Sequence, residues 1–382
     1  MPPMLRPLSA PDTQPHLLLW LTAISGEFPT PLVSRLPGGG SYKENVVKRL
    51  KHDGLLRTYY RDGLRGLRLT TAAKKLLLAG QPEQFRPYLT GSTETNVLKS
   101  EVPRRLRLHR MAEVLVTMLN ADAAIFQAEK PALFTPAPPP SGLRIDWPAY
   151  YSSREIKEMG AQAVKVRGSR STGVLLADGG VFVVYNTGPS LMKWEYKAEM
   201  RLKALIQTEL CRRRLSSQFQ DALLQGVVFG LGMEPLIPLM SGAGGDSKRN
   251  YFVLDGNYDR FYYLTSDHRG EVILRLLCQP GQRRALDQIL SENLYAREPG
   301  LLIEHDAIDE AEAPVLFGYL CDMPRIQRFA SALDLQGRTG TLICFDFQEE
   351  ALHRLCGPRV AIQSIDFEKY ERSVLHFQTE PD

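Results

Sequence analysis

The strongest constraint on the fold lies in residues 16–79, where a helical sequence pattern changes to a strand pattern and back. The stretch HLLLWLTAISGEF predicts a short apolar helix ending at Gly26, because glycine tolerates the left-handed conformation that follows many helices. Thr30 and Pro31 predict the start of a second short helix that reaches Leu36, with threonine as its cap. This part of the chain therefore holds two short helices in close succession.

A third helix follows three consecutive glycines and carries many cations. In the segment SYKENVVKRLKHD, Ser41 and Glu44 have the spacing of a capping box, in which each side chain bonds the other residue's amide. Val46 and Leu50 fall on one face at helical spacing, which leaves most of the basic residues for other faces. Gly54 predicts the end of this helix.

The next segment has the composition of strands. Residues 55–60 are rich in β-formers, RDGLRG at 61–66 is a basic loop prone to turns, and residues 67–69 can return as a second strand. Thr70 and Thr71 offer a cap for a further helix, AAKKLLLA. The predicted order is three helices, a hairpin and a helix.

This order, with a basic third helix and arginines in the hairpin, predicts a winged helix-turn-helix. A helix fits the major groove of double-stranded DNA, while the hairpin lies along the phosphates. Tyr42, Lys43 and Asn45 lie near the start of the third helix, where base edges are usually reached. Two alternatives stay open, since winged helices also bind proteins and a basic helix can simply be solvated. The predicted DNA-binding residues are Ser41, Tyr42, Lys43, Asn45, Lys48, Arg49, Lys51, Arg61, Arg65 and Arg68.

The distribution of charge agrees with a polyanion as partner. The formal net charge is only +4, but residues 1–110 hold 18 Lys or Arg against 8 Asp or Glu, an excess of +10. The rest of the chain holds 29 basic and 35 acidic residues, a balance of −6. Such asymmetry suggests that one part meets nucleic acid, although a solvated basic surface gives the same numbers.

Composition and spacing exclude several classes of protein. With 43% hydrophobic and 24% charged residues the chain is neither disordered nor fibrous. No apolar run approaches the roughly 18 residues of a membrane helix, and residues 1–16 lack the apolar core of a secretory signal. The five cysteines are odd in number and widely spaced, which predicts reduced thiols in the cytoplasm. No spacing indicates a metal site, a cofactor or a catalytic triad.

We expect an α+β chain in three parts: a winged helix-turn-helix over residues 1–90, a helical linker and α+β domain over 91–240, and a strand-rich α+β region over 241–382. In the middle part, Asp178 and Gly179 predict a hairpin turn between two apolar strands. A long helix over residues 194–214 follows this hairpin.

In the third part, residues 251–276 predict a meander of strands. A helix follows in GQRRALDQILSENL, and the segments TGTLICFDF and PRVAIQSIDF predict later strands.

A hairpin followed by a helix invites comparison with the cores of metal-dependent nucleases. Such a core needs an Asp and then Glu-x-Lys on the next strand, so that two carboxylates hold Mg²⁺. Residues 183–187 read VVYNT and provide neither carboxylate nor lysine. We interpret Asp178 as a turn residue, and Glu195 and Glu199 as helix-surface partners of neighbouring lysines. We therefore predict no catalytic residues and no metal ligands.

The segment GLLRTYYRDGLRGLRLTTAAKKLL, together with RSTGVLLADGGVFVVYNTGPSLMKW, resembles the replication-relaxation family of proteins encoded by plasmids and integrative conjugative elements. The resemblance implies a winged helix followed by a degenerate nuclease core. It also implies a DNA-binding accessory factor of plasmid replication or transfer-origin processing. The partners would be double-stranded DNA, relaxosome or replication proteins, and a second copy of the chain.

Two other classes of function stay open. One is a metal-dependent DNA-nicking enzyme whose site is assembled from Asp178, Glu195 and Glu199. The other is a winged-helix protein-interaction scaffold. The first predicts nicking of supercoiled plasmid in Mg²⁺ or Mn²⁺, whereas the second predicts that loss of the basic side chains leaves function intact.

Overall fold

The structure is a computed structural model, and it describes residues 13–90, 101–135, 139, 142–156, 168–177, 180–189, 195–240, 258–296 and 302–377. The predicted α+β class is confirmed, because helices and three small sheets alternate along the described chain. All five cysteines are buried thiols.

The N-terminal module, residues 13–90, packs helices against a three-stranded sheet. The sheet has the order β1-β3-β2, and buried leucines such as Leu21, Leu50, Leu67 and Leu77 form the core beneath it. Its elements are α1 (Gln14–Ser25), β1 (Phe28–Pro29), a 3₁₀ helix (Thr30–Arg35), α2 (Gly40–His52), β2 (Leu56–Arg61), β3 (Leu64–Leu69), α3 (Thr71–Gly80) and α4 (Pro82–Leu89).

Local signals in this module are confirmed at three points. Gly26 ends α1 with φ +86° and donates its amide to Thr22. Thr70 caps α3 by accepting the Ala73 amide at 3.1 Å. The hairpin β2–β3 turns at Asp62 and Gly63, whose φ angles are +52° and +75°. Its loop is thus two residues long instead of the six predicted, because both residues adopt the left-handed conformation that a tight hairpin requires.

Two predicted helix starts are wrong. The second helix is a 3₁₀ helix with Pro29 at its N-cap, so Thr30 is not the cap. Helix α2 begins at Gly40 after Gly39, and no side chain bonds its first amides. Gly40 itself enters the helix, which places Ser41 inside its first turn and removes the predicted capping box.

Helix α5 (Val102–Asn120) joins this module to the rest of the protein. It packs against α1, β1 and β3 on one side and against the second sheet on the other. Its residues Ala112, Leu115 and Val116 are buried. One long helix therefore contributes to two neighbouring units.

The second sheet has the order β4-β5-β6-β7-β8, in which β4–β6 are antiparallel and β6–β8 are parallel. Alternate residues of β6 enter different cores, with Phe182 and Val184 toward α5 and with Val183 and Tyr185 toward the opposite helices. Its elements are β4 (Ala149–Ser152), α6 (Ser153–Ile156), β5 (Gly173–Ala177), β6 (Gly180–Gly188), α7 (Tyr196–Leu205) with a π-helical continuation (Ile206–Arg214), α8 (Ser216–Phe219), β7 (Leu224–Gly230), α9 (Leu236–Met240), β8 (Phe261–Thr265) and α10 (His268–Cys278).

This sheet extends beyond the predicted domain boundary. Strand β8 pairs with β7, so the division between residues 240 and 241 falls within one sheet. Residues 268–276, predicted as part of a strand meander, form a helix that Asp267 caps through the Gly270 amide. The apolar run there is a buried helix, a case that periodicity alone does not separate from a strand.

The third sheet repeats the strand order and directions of the second. Its order is β9-β10-β11-β12-β13, again with three antiparallel strands followed by two parallel ones. Tyr262 and Asp322 form a bridge between the two units. The elements are α11 (Pro280–Ser291), β9 (Tyr295–Ala296), β10 (Ala307–Ile308), β11 (Pro314–Phe317), α12 (Met323–Gln336), β12 (Gly340–Phe345), α13 (Asp346–Cys356), β13 (Val360–Ile365) and α14 (Phe367–Phe377).

Candidate nucleic-acid interface

Helix α2 divides its side chains between the module's core and solvent. Val46 and Leu50 are buried against α1 and the hairpin. Tyr42 is 54% exposed, and the Arg49 side chain is 73% exposed with its Nε 3.7 Å from Asp53. The other predicted residues that remain at the surface are Ser41, Asn45, Lys48 and the half-buried Lys51.

Lys43 does not belong to this exposed face. Its side chain is buried, and its Nζ donates hydrogen bonds to the carbonyls of Ser34 at 2.6 Å and Leu36 at 2.9 Å. These carbonyls end the 3₁₀ helix, where unsatisfied oxygens attract a cation. The predicted contact of Lys43 with DNA bases is therefore replaced by a bond that fixes α2 to the preceding helix.

The hairpin also presents only some of its cations. Arg57 and Arg65 are exposed, Tyr60 is 70% exposed, and Arg61 is exposed beside Asp62 with 3.2 Å between their charged atoms. Arg68 is buried and donates to the Glu27 carboxylate, with its Nε 2.8 Å from Oε2. The prediction that Arg68 faces phosphates is wrong, because its charge is neutralised inside the module.

Glu27 is the centre of a buried ionic cluster that sequence reasoning missed. Its carboxylate accepts hydrogen bonds from Arg68, from Arg105 of α5 at 2.6 Å, and from His109 Nε2 at 2.8 Å. Burial by itself would raise the pKa of Glu27, but these bonds together lower it to about 2. The one signal of this cluster in the sequence is that Glu27 is a single acid in an apolar stretch.

The same cluster positions the hairpin. Arg105 is fully buried and also donates to the backbone carbonyls of Arg61 at 2.8 Å and Leu64 at 3.0 Å. Gly66 of β3 lies so close to the Glu27 carboxylate that a Cβ atom there would clash with it. Helix α5 therefore holds the base and the tip of the hairpin in one orientation.

A second ionic contact docks the module on the body of the protein. Arg35 of the 3₁₀ helix pairs with Glu271 of α10 and donates to the Ser266 carbonyl and the Thr117 hydroxyl. Asn120 of α5 donates to Glu271 at 2.8 Å. Burial would raise the pKa of Glu271, but bonds from His268 and Arg35 hold it below its usual value.

Within the described part of the structure, the acids considered for a nicking site do not form such a site. Asp178 lies outside the described residues, and Glu195 is exposed at the N-cap of α7. Glu199 is buried and accepts from the Ser169 hydroxyl, the Arg170 amide and the Tyr185 hydroxyl at 2.6–2.9 Å. The prediction that Glu199 is a helix-surface partner of Lys203 is therefore wrong. Burial raises the pKa of Glu199.

Within the described ranges, no group of three His, Cys, Asp or Glu side chains is placed to hold a metal ion. No helix among the described residues is long and apolar enough to cross a membrane. No protein-family model, no curated protein and no solved structure matches this chain.

Proposed function

We propose that the N-terminal module is a winged helix-turn-helix that binds double-stranded DNA. Helix α2 would enter the major groove and the hairpin β2–β3 would lie along the phosphate backbone. One observation carries the proposal: the solvent faces of both elements are basic, while their opposite faces pack into the core. Lys48 and Arg49 represent the helix, and Arg57 and Arg65 the hairpin.

We divide the proposed DNA contacts into two kinds. Tyr42 and Asn45 are exposed in the first half of α2, where side chains reach base edges, and an asparagine can bond adenine through two hydrogen bonds. We assign phosphate contacts to the other surface residues of α2 and to two arginines of the hairpin, namely Ser41, Lys48, Arg49, Lys51, Arg61 and Arg65. Lys43 and Arg68 instead hold the elements that present these residues.

The biological setting rests on the resemblance to the replication-relaxation family. It supports a cytoplasmic accessory protein of a mobile genetic element that acts in plasmid replication or in processing the transfer origin. Relaxosome or replication proteins, or a second copy of the chain, would then dock on the acidic remainder.

Salt-dependent binding of the full chain to duplex DNA tests the proposal. Arg49→Ala/Arg65→Ala removes two exposed cations from the module, and Arg284→Ala/Arg372→Ala removes two from α11 and α14 as a matched control. Each phosphate contact contributes about 0.9 to the slope of log affinity against log salt, so the first variant should lose about 1.8. The control should keep the slope of the wild type. Absence of duplex binding by the wild type at low salt would refute DNA binding.

A metal-dependent nicking enzyme is the second candidate, because the second sheet has a strand order and directions compatible with a nuclease core. Three antiparallel strands are followed by helix α7 and the parallel strand β7. Incubation of supercoiled plasmid with the full chain and Mn²⁺ tests this function. Nicking that disappears in the variants Asp178→Ala and Glu195→Ala would support this function. Equal nicking by the wild type and both variants would exclude a catalytic role for these two acids.

A further inference from the structure

The first half of helix α5 carries three arginines that take no part in the Glu27 cluster. Arg104, Arg107 and Arg110 are three residues apart, so they follow one another along the helix surface as a strip. Arg105 and His109 point instead to the buried carboxylate of Glu27. The helix therefore has one buried cationic row and a second row in which Arg107 is exposed while Arg104 and Arg110 are half-buried.

The arginine strip, Arg104–Arg107–Arg110, begins beside the hairpin and ends at the second sheet. Its first turn is fixed to the hairpin tip, since the neighbouring Arg105 donates to the Arg61 and Leu64 carbonyls. At the other end, the guanidinium of Arg110 lies next to Gly188, so that a Cβ there would be 3.1 Å from its Nε. The strip thus extends from the hairpin β2–β3 to the end of strand β6.

The positive charge of this strip is poorly compensated. Among the described residues, no carboxylate oxygen lies within 4 Å of Arg107 or Arg110, and Arg104 pairs only with the exposed Glu101. The charge of Glu113 favours the ionised form of Arg110, although this carboxylate also accepts a hydrogen bond from Asn186 at 2.9 Å. Burial lowers the pKa of Arg107, and the charges of Arg170, Arg104 and Arg110 lower it further. The arginines therefore repel one another in the free protein, and a bound anion would relieve this repulsion.

We propose that the arginine strip binds backbone phosphates of the same DNA duplex that the N-terminal module holds. This inference rests on the proposed DNA binding and extends it. Arginine forms two parallel hydrogen bonds with a phosphate, so a row of exposed and half-buried guanidinium groups suits a sugar–phosphate backbone. The contact with DNA then continues from the hairpin onto the second sheet.

The length of the strip limits the number of contacts. Six residues of α-helix rise about 9 Å, which matches two successive phosphates of one strand better than a longer run. We therefore expect about two additional phosphate contacts, with Arg107 and Arg110 as the main ones because the carboxylate of Glu101 already neutralises Arg104.

Fluorescence anisotropy of the full chain with a labelled duplex over a salt series tests the inference. Arg107→Ala/Arg110→Ala should reduce the slope of log affinity against log salt by about 1.8, at about 0.9 for each phosphate. The control Arg284→Ala/Arg372→Ala removes the same charge from the third sheet's helices and should leave the slope unchanged. With a duplex that covers only the module's site, Arg107→Ala/Arg110→Ala and the control should have the same salt slope. With a duplex extended on both sides, only Arg107→Ala/Arg110→Ala should have the reduced slope.

The outcomes separate this inference from the proposed function. If the wild type binds DNA and Arg49→Ala/Arg65→Ala weakens it, but Arg107→Ala/Arg110→Ala keeps the full slope, the strip does not bind phosphate. If the control loses as much slope as the strip variant, the effect is general charge and the inference is wrong. If the wild type binds no duplex at low salt, both proposals fail.

Discussion

Glu27 of the N-terminal module and Glu199 beside the second sheet are both buried, but their carboxylates are surrounded by hydrogen-bond donors of different charge. Glu27 lies among Arg68, Arg105 and His109, and its pKa falls to about 2. Glu199 accepts from two hydroxyls and a backbone amide, and burial raises its pKa. The first carboxylate is held as an ion, whereas the environment of the second favours the neutral acid.

This difference shows how a basic module can fold without losing its basic surface. The buried carboxylate of Glu27 binds Arg68 and Arg105, and two backbone carbonyls bind Lys43. Other cations, such as Lys48 and Arg65, stay exposed. Glu199 is instead bonded by the neutral side chains of Ser169 and Tyr185. The number of cations in the sequence of this module therefore overestimates the number at its surface.

The largest effect should come from removing the charge of Glu27. Glu27→Gln leaves two buried guanidinium groups without a counter-charge, which typically costs about 3–5 kcal/mol of stability. Glu199→Gln is the matched change, and it should cost only about 1–2 kcal/mol because neutral donors lose less. In a background of Trp147→Phe and Trp194→Phe, the fluorescence of the buried Trp20 would report unfolding of the module in urea. Equal losses in both variants would remove the proposed distinction.

The sequence predicted local features of the module but not its buried ion cluster. The Gly26 helix end, the Thr70 cap and the hairpin follow from residues adjacent to one another. Arg68 and Arg105 are 41 and 78 residues from Glu27, so no local pattern reveals their partner.

The same limit applies to the body of the protein. The strands β5, β6, β12 and β13 were predictable from their apolar runs, whereas the burial of Glu199 depends on residues from another strand and loop. The shared topology of the second and third sheets was not predictable either, because strand order is a tertiary property.

The response to pH should differ in sign between the two carboxylates. The folded pKa of Glu27 is lower than its usual 4.5, so its contribution is present above about pH 4.5 and disappears as the pH falls toward 2. The shift corresponds to about 3 kcal/mol at 1.36 kcal/mol per pKa unit. Glu199 has a raised pKa, so its ionisation destabilises the fold as the pH rises through that value.

Urea titrations at pH 2.5, 4 and 6 would measure this contrast. The difference in stability between wild type and Glu27→Gln should shrink steadily as the pH falls. The corresponding difference for Glu199→Gln should not shrink in this way. A constant difference for Glu27→Gln over this range would show that the carboxylate is not preferentially ionised in the folded protein.

The smallest effect should distinguish the structural lysine of α2 from a lysine of the proposed DNA-binding surface. Lys43→Met removes bonds to the Ser34 and Leu36 carbonyls and should cost about 1–2 kcal/mol, whereas the exposed Lys48→Met should change stability by less than about 0.5 kcal/mol. Binding should show the opposite order: Lys48→Met loses about 0.9 from the salt slope, and Lys43→Met keeps the full slope at a temperature where it is folded. Each substitution removes one positive charge from the same helix, so the two variants have the same net charge. A loss of slope in Lys43→Met equal to that in Lys48→Met would mean that burial does not decide which cations of this helix contact DNA.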